Sequence, residues 1–356
     1  MFDWAMACLR HRLPDMLAYC DAPERADRID QAVIDRARKA HKSPRLAHLQ
    51  LAHGAIGVTC AKLAEAEVMV AGGVTEVLVA NQLGSAAKWH RAAALQRDAA
   101  VTVCVDDPQH VRWASAAAVQ RGVTIPLLIE VDVGMNRTGV TSPDAALALA
   151  ALITVHDGVR LAGVMGYEGH LLRVWPQEEK TRQLVDAMAI LTRTADRLRD
   201  VGYPVDIVSS GGTGSFETTA GLAGLTESQA GGGCLMDRFY AEQCHVDLEH
   251  ALTVLTTVVS RQAEGRAIVD AGFKALGSLP GFQPPWVIDP STLQTVGLSA
   301  EHGILADDAG TTQVGDQVQF VPSYSDAMLF LHDHVIGHRD GRVTEIVAMP
   351  GRGRLA

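Results

Sequence analysis

Two lysines and a histidine lie close together in residues 39–44, which read KAHKSP. A lysine amine attacks an aldehyde when burial or a cationic neighbour lowers its pKa. His41 and Lys42 would supply such neighbours for Lys39, so one lysine of this segment is a candidate Schiff-base former. A solvated basic turn is the alternative interpretation.

Two polar segments follow short apolar runs further along the chain. Residues 132–139 (DVGMNRTG) contain Arg137, and residues 167–170 (YEGH) contain Tyr167 and His170. The carboxyl ends of the strands of a (β/α) barrel form its active face. We therefore expect Arg137 to point at a ligand. A structural ion pair for Arg137, and core-capping positions for the other two side chains, are the alternatives.

Two glycine-rich segments, residues 209–215 (SSGGTGS) and 231–233 (GGG), follow later predicted strands. Turns of this kind expose backbone N–H groups that suit a phosphate. No GK[ST] element follows the first segment, so it is not a Walker loop. Two such loops late in a barrel match the usual barrel phosphate site.

Near the end of the chain, residues 301–303 (EHG) and 324–326 (YSD) carry further polar side chains. Asp326 with a nearby histidine could bind a divalent cation. Histidines that are merely hydrogen-bonded in strands are the alternative.

Short apolar runs alternating with helical patterns must position these residues. The predicted strands are residues 55–59, 76–80, 100–105, 125–131, 159–165 and 204–209. The predicted helices are residues 61–71, 84–96, 108–121, 142–155 and 178–201. Continuous apolar runs favour strands buried on both faces of a parallel sheet. The pattern predicts an α/β fold with a TIM-like (β/α) barrel, although an open doubly wound sheet has the same pattern.

After about residue 245 the pattern changes to strands separated by turns. The runs are residues 252–260, 266–270, 317–321 and 342–347, and Asp340-Gly341 is a hairpin signal. We predict a mostly antiparallel C-terminal β domain at 245–356 after a barrel at 36–244. Residues 1–35 are interpreted as a divergent N-terminal segment, because 22–39 is charged and helix-compatible where a first strand is expected.

Composition excludes several classes of protein. The 356 residues carry 31 Lys plus Arg against 41 Asp plus Glu, a net charge of −10 that argues against nonspecific nucleic-acid binding. The apolar runs are too short to span a membrane, and the first fifteen residues make a poor signal peptide. Six scattered cysteines without a CxxC motif indicate reduced thiols and a cytoplasmic protein.

As an ordered set, the motifs resemble one family across residues 36–356. The family is the fold-type III pyridoxal-phosphate (PLP) group that contains D-threonine aldolase and D-serine dehydratase and is related in fold to alanine racemase. The motifs that carry the resemblance are KAHKSP at 39–44, GVTCAKLAEAEVM at 57–69, EVDVGMNRTGV at 130–140, GYEGH at 166–170, SSGGTGSFE at 209–217, TESQAGGG at 226–233 followed by MD at 236–237, ALTVLTTVVSR at 251–261, VDAGFKAL at 269–276 and EHG at 301–303.

The resemblance implies a role for each candidate residue. Lys39 would bear PLP, Arg137 would lie near the cofactor's phenolate oxygen, and Tyr167 would lie near its ring. Asp326 would be the acidic ligand of a divalent metal such as Mn, Mg or Zn. The phosphate-binding positions would be Gly211, Gly212, Thr213, Gly231 and Gly232.

The chain departs from the family pattern at three places. The residues before Lys39 are not the family's Arg-Pro-His, and the usual apolar first strand is absent. Tyr324 stands where the metal pair usually has a histidine, which leaves His302 as a substitute candidate. The second glycine loop lacks the Ser and Tyr of many relatives, so backbone donors remain there but hydroxyl donors do not.

The expected activity is a PLP-dependent lyase reaction on D-3-hydroxy amino acids, of the D-threonine aldolase type, giving glycine and an aldehyde. His170 is our candidate general base, since imidazole as a class titrates near neutral pH. The alternatives are a D-serine or 3-hydroxyaspartate dehydratase, an amino-acid racemase using Lys39 and Tyr324, and a non-catalytic PLP-binding protein. The expected partners are a small-molecule D-amino acid and, by analogy with the family, a second copy in a homodimer.

Overall fold

The computed structural model describes residues 34–35, 37–38, 42–339 and 342–356. The described residues form two compact units. The first unit contains the described residues up to position 38, Ser43–Gly231 and Arg354–Ala356, and the second contains Lys42 and Gly232–Gly353. All but the last two residues of the predicted divergent segment 1–35 lie outside the described part. No helix of the described residues has the length and apolar character needed to cross a membrane.

Strands and helices alternate along the first unit, as the apolar runs predict. The strands are β1 (Ile34–Asp35), β2 (Ala37–Arg38), β3 (Val58–Cys60), β4 (Glu76–Val79), β5 (Ala100–Val105), β6 (Ile125–Glu130), β7 (Val159–Met165), β8 (Ile207–Ser210) and β9 (Glu227–Ser228). The helices are α1 (Pro44–Ala52), α2 (Leu63–Ala71), α3 (Ala86–Leu95), α4 (Pro108–Arg121), α5 (Pro143–Thr154), α6 (Gln177–Asp200) and α7 (Phe216–Thr219). A short 3-10 helix, Gly169–Leu171, follows β7.

The nine strands form one parallel sheet in the order β1-β9-β8-β7-β6-β5-β4-β3-β2. At its edges, β1 pairs with β9 (Ile34 with Glu227) and β2 pairs with β3 (Ala37 with Val58). One residue separates β1 from β2 in the sequence, so both edges of the sheet meet at the same short stretch. The sheet therefore curls round as a barrel, which confirms the predicted fold class and excludes the open doubly wound sheet.

The helix-compatible interpretation of residues 22–39 is wrong for the four described residues of that stretch. They form β1 and β2, because a strand is required between β9 and β3 to satisfy the backbone hydrogen bonds of both neighbours. Tertiary pairing here overrides a weak local preference, as it often does in sheets.

The barrel strands from β3 to β9 are largely buried on both faces. In β5, Val101 and Val103 pack in the large cluster shared with the helices. Cys104, which follows Val103, packs instead with Leu128 and Met165 in a second cluster. Its Sγ donates a hydrogen bond to Met165 Sδ at 3.4 Å. Burial of alternate residues on opposite faces explains why these strands read as uninterrupted apolar runs.

The second unit is mostly antiparallel, as predicted. Its strands are β10 (Val254–Ser260), β11 (Arg266–Val269), β12 (Trp286–Asp289), β13 (Gln294–Leu298), β14 (Gly303–Ala306), β15 (Gln317–Val321), β16 (His334–Arg339) and β17 (Arg342–Ala348). Its helical elements are a 3-10 turn (Gly232–Cys234), a π-helical turn (Phe239–Gln243), α8 (Phe273–Leu276) and α9 (Ser325–Leu329). A six-stranded sheet has the order β12-β15-β10-β11-β14-β13, and β16 pairs with β17.

Four strands of this unit, β12, β13, β14 and β16, were not among the predicted runs. The first three are short, and β12 and β13 contain no fully buried residue, so their sequence has little apolar signal. In β16 a single residue, Gly337, is buried. The predicted hairpin turn at Asp340-Gly341 lies outside the described residues, while Arg339 and Arg342 on either side of it are paired.

Candidate active site

The predicted PLP lysine, Lys39, and its neighbour His41 lie outside the described residues. Arg38, the residue before Lys39, ends β2 and pairs with Thr59 of β3. Lys42 is described: it is buried, it has a φ of 52°, and its carbonyl oxygen accepts a hydrogen bond from Gly351 N–H at 2.9 Å. The role of Lys39 therefore stays a prediction.

The loop that follows β6 is shaped by Asp132. Its carboxylate accepts hydrogen bonds from the N–H groups of Gly134 at 2.9 Å and Asn136 at 3.1 Å. Gly139 closes the loop, since its N–H donates to Asp106 Oδ2 at 2.9 Å and its φ of 110° suits glycine. The loop is thereby held in one conformation and presents Arg137 at the surface.

The loops after β6 and β7 lie side by side. The guanidinium carbon of Arg137 is 5.6 Å from the ring centroid of Tyr167, a cation–π distance. A Cβ atom on Gly134 would lie 3.0 Å from His170 Nε2, so the exposed imidazole lies directly against this glycine. The structure thus brings together Arg137, Tyr167 and His170, which the sequence placed on two separate segments.

Glu130, at the end of β6, is a buried carboxylate inside this group of loops. It accepts hydrogen bonds from Thr138 Oγ1 at 2.7 Å and from Gln82 Nε2. Burial raises the pKa of Glu130 above its ordinary value, and the two hydrogen bonds and the charge of Arg137 oppose that rise. Glu130 ties the loops after β4 and β6 to one another.

Glu168, which is fully buried after β7, holds the first glycine loop. Its Oε2 accepts from Gly211 N–H at 3.3 Å, and its Oε1 accepts from the hydroxyl of Ser215. Ser215 Oγ in turn accepts from Gly212 N–H at 3.1 Å. The N–H groups of Gly211 and Gly212 are therefore used within the protein, to fix the shape of the loop.

Three buried hydroxyl groups lie in and beside the first glycine loop. The side-chain oxygens of Ser210, Thr213 and Ser228 are buried, and the described residues offer them no hydrogen-bond partner. Ser210 and Ser228 are paired in register on β8 and β9. A Cβ atom on Gly211 would lie only 2.9 Å from Ser228 Oγ, so Ser228 lies against the loop. Buried hydroxyls of this kind are suited to binding an anion.

The second glycine segment is divided between the two units. Gly231 belongs to the first unit, where its N–H donates to the carbonyl oxygen of Gln229 at 3.1 Å. Gly232 belongs to the second unit, where its carbonyl oxygen accepts from the N–H groups of Leu235 and Met236. Their predicted role in phosphate binding stays a prediction.

In the second unit, Tyr324 and Asp326 form a direct pair. Tyr324 Oη donates to Asp326 Oδ2 at 3.0 Å. Asp237, fully buried beside them, accepts from the N–H groups of Ser325 at 2.7 Å and Tyr240 at 2.9 Å. Burial raises the pKa of Asp237 to about 6, against the effect of these hydrogen bonds. Asp237 thus fixes the start of α9, which carries Asp326.

His302, the substitute metal ligand, is an exposed residue next to β14. Its backbone bonds to Ser299, and its charge adds to the lowering of the pKa of Asp270, whose main cause is the hydrogen bond from Thr256. Within the described ranges, no three His, Cys, Asp or Glu side chains form a group that could hold a metal ion.

Sequence reasoning missed four residues of the first unit: Glu168 as a loop anchor, Ser215 as its partner, and the hydroxyls of Ser210 and Ser228. The quoted motifs contain all four, but no spacing rule shows that Glu168 reaches a loop 43 residues away. For Ser228, only the pairing of its two-residue strand with β8 brings the hydroxyl to the first glycine loop.

Comparisons with known proteins find relatives of both parts of the chain. The family model "Alanine racemase, N-terminal domain" matches residues 32–238, and "Putative serine dehydratase domain" matches residues 251–338. The chain is 36% identical to the D-threonine aldolase of Arthrobacter sp. over 333 residues, which cover 92% of this chain and 87% of that protein. It is 34% identical to the 3-hydroxy-D-aspartate aldolase of Paracoccus denitrificans (strain Pd 1222), covering 89% of this chain and 84% of that protein.

A solved structure shares the fold throughout. The D-threonine aldolase of Filomicrobium marinum superposes with a TM-score of 0.90 at 34% identity, covering 98% of this chain and 94% of that chain. The match extends over both units, and a relative at this identity and coverage establishes the family. The chain therefore belongs to the alanine racemase-like, fold-type III PLP-dependent family that includes the D-threonine aldolases.

Proposed function

We propose that the chain is a PLP-dependent lyase that cleaves D-3-hydroxy amino acids by a retro-aldol reaction. With D-threonine the products would be glycine and acetaldehyde. The observation that carries the proposal is the group of residues at the ends of β6 to β9, where Arg137 lies against Tyr167 and a glycine loop presents buried hydroxyls. The similarity to aldolases over nine tenths of the chain supports the same reaction class.

The described residues fit PLP. The phosphate of PLP needs hydrogen-bond donors, and Ser210, Thr213 and Ser228 have buried hydroxyls to which the described residues offer no partner. Arg137 would face the phenolate oxygen with a positive charge, and Lys39 would form the covalent link. When bound, PLP supplies the electron sink that stabilises negative charge at the substrate Cα.

The other residues of the site would orient the reactants and move protons. Glu168 and Ser215 hold the glycine loop in the shape that receives the phosphate, and Tyr167 supports the ring beside Arg137. His170 would take the proton from the substrate's β-hydroxyl as the Cα–Cβ bond breaks, because its imidazole is exposed and lies against Gly134 in the loop that carries Arg137.

The metal of the family does not fit the residues present, so the proposal contains no metal step. Asp326 has a phenol as its partner where Mn, Mg or Zn would need further nitrogen or oxygen ligands. The imidazole of His302 is exposed, and among the described residues no three His, Cys, Asp or Glu side chains form a group that could hold a metal ion.

A dehydratase is the second candidate, because residues 251–338 match a putative serine dehydratase domain. Loss of the Cα proton followed by the β-hydroxyl would give a 2-oxo acid and ammonia instead of glycine and an aldehyde. We further propose a homodimer in the cytoplasm, on the basis of the family resemblance and the scattered cysteines. The substrate class is a small D-amino acid.

Two measurements on the purified protein with PLP test the proposal. Borohydride reduction and peptide mass spectrometry should place a pyridoxyl group on Lys39, and the Lys39→Ala variant should carry none. Incubation with D-threonine should release glycine and acetaldehyde in equal amounts, and L-threonine should release neither. Release of 2-oxobutanoate and ammonia would favour the dehydratase. A label on Lys39 with no turnover of D-threonine, D-serine or 3-hydroxy-D-aspartate would leave only a PLP-binding protein.

A further inference from the structure

The pair formed by Tyr324 and Asp326 occupies the position where the family resemblance implies a metal. Tyr324 Oη donates a hydrogen bond to Asp326 Oδ2 at 3.0 Å, so this carboxylate oxygen already has a partner. The other oxygen, Oδ1, is shielded from solvent and the described residues give it no hydrogen bond. The carboxylate therefore has one oxygen shielded from solvent and the other engaged by the phenol.

The phenol of Tyr324 is held in place by an aromatic cluster. Its ring centroid lies 5.1 Å from that of Phe282, 5.5 Å from that of Phe239 and 6.1 Å from that of Tyr240. The backbone next to it is fixed as well, since Ser325 N–H donates to buried Asp237. Tyr324 therefore cannot turn away from Asp326 without breaking this packing.

The donor set is poor for any divalent cation. Zinc is bound by several Cys, His or carboxylate side chains, and Mg²⁺ requires near-octahedral oxygen coordination. Here one carboxylate is joined to one phenol, and in the part of the chain that the structure describes no third ligand completes a group. A phenol that donates a hydrogen bond to the carboxylate also competes with a cation for the same carboxylate oxygen.

We propose that Tyr324 and Asp326 form a cation-independent phenol–carboxylate pair, and that the lyase reaction of this chain needs no divalent metal at this position. The second part rests on the proposed function. The first part concerns binding alone and holds whether or not the protein turns over a substrate. Tyr324 is the residue at which this pair departs from the family's metal pair, and a histidine there would add a nitrogen ligand beside Asp326.

Titration with Mn²⁺ tests the pair directly. The full-length protein is treated with EDTA, exchanged into chelator-free buffer and titrated with Mn²⁺, while electron paramagnetic resonance reports the free ion. The wild-type protein and the Asp326→Asn variant should give the same free-ion signal. Uptake of about one Mn²⁺ per chain by the wild type, lost in Asp326→Asn, would overturn the proposal.

Two variants at position 324 identify the deciding residue. Tyr324→His should bind Mn²⁺ at least about tenfold more tightly than the wild type, because it gains a ligand. The matched control Tyr324→Phe, which removes the hydroxyl and adds no ligand, should remain at the wild-type level. Equal binding by Tyr324→His and the wild type would contradict the assignment, provided that circular dichroism shows the variant folded. If the variant does not fold, the comparison of wild type with Asp326→Asn still decides the question.

Discussion

Removal of the Glu168 carboxylate is the sharpest test of how the first glycine loop is built. Glu168 is fully buried and accepts hydrogen bonds from Gly211 N–H and from the hydroxyl of Ser215. Ser215 Oγ in turn accepts a hydrogen bond from Gly212 N–H at 3.1 Å. In Glu168→Ala, Gly211 N–H loses its acceptor, and the hydroxyl of Ser215 keeps only the carbonyl oxygen of Gly212 at 3.2 Å. The loop then loses the contact that joins it to the residues after β7.

The size of the effect follows from these contacts. A buried donor left without a partner costs about 1–3 kcal/mol, and this cost applies to Gly211 N–H, since Ser215 keeps a second acceptor. With an unfolding entropy of about 2.1 cal/mol/K per residue, a chain of 356 residues loses about 1.3 °C of Tm per kcal/mol, which predicts a fall of roughly 1–4 °C. Glu168→Gln keeps one acceptor oxygen but turns an amide N–H₂ towards the other donor, so about half of this loss is expected.

The assay combines stability with cofactor affinity. Thermal unfolding by circular dichroism measures Tm, and fluorescence titration compares PLP with pyridoxal, which lacks the phosphate. We expect Glu168→Ala to weaken PLP binding by about tenfold, equivalent to 1.4 kcal/mol, and to change pyridoxal binding much less. Glu264→Ala is the matched control, because Glu264 is an exposed carboxylate in the turn between β10 and β11.

A Tm of Glu168→Ala equal to that of the wild type within the error of the measurement would refute the anchoring role of Glu168. Loss of affinity for PLP and pyridoxal by the same factor would show that the loop does not bind the phosphate. A loss of Tm as large in Glu264→Ala would show that any removed glutamate destabilises the protein.

Two further predictions concern Gly211 and Asp237. Gly211→Ala should destabilise the protein by about 1–3 kcal/mol in urea unfolding, because its φ is 80° and the new Cβ would lie 2.8 Å from Thr219 Oγ1; Gly221→Ala, with open space around it, should cost much less. Burial raises the pKa of Asp237 from 3.8 to about 6, so its protonated form stabilises the fold fully below about pH 4, and roughly 3 kcal/mol is lost as the pH rises through 6. Asp237→Asn cannot ionise and should therefore show a flatter free energy of unfolding between pH 4 and pH 7; an unchanged slope would contradict the burial argument.

Much of the first unit could be predicted because its strands are buried on both faces. The run at residues 100–105 is the strand β5 and the pattern at 108–121 is the helix α4, since parallel strands covered by helices need continuous apolar residues. The strands β12 and β13 could not be predicted, because their side chains are half exposed and carry no clear period. Strand β2 could not be predicted either, since its charged sequence becomes extended only through pairing with β3.

The sequence by itself determined the family and the order of the polar segments, because glycine loops and polar strand ends are local patterns that survive in the linear chain. It could not show that Glu168 holds Gly211 or that the phenol of Tyr324 donates to Asp326. Glu168 and Gly211 are 43 residues apart and follow the neighbouring strands β7 and β8. The contact between Tyr324 and Asp326 depends on a ring orientation set by Phe239 and Phe282. Only the tertiary structure decided these contacts, because a hydrogen bond requires two groups to lie close together in space, and the order of residues along the chain does not show which distant groups do so.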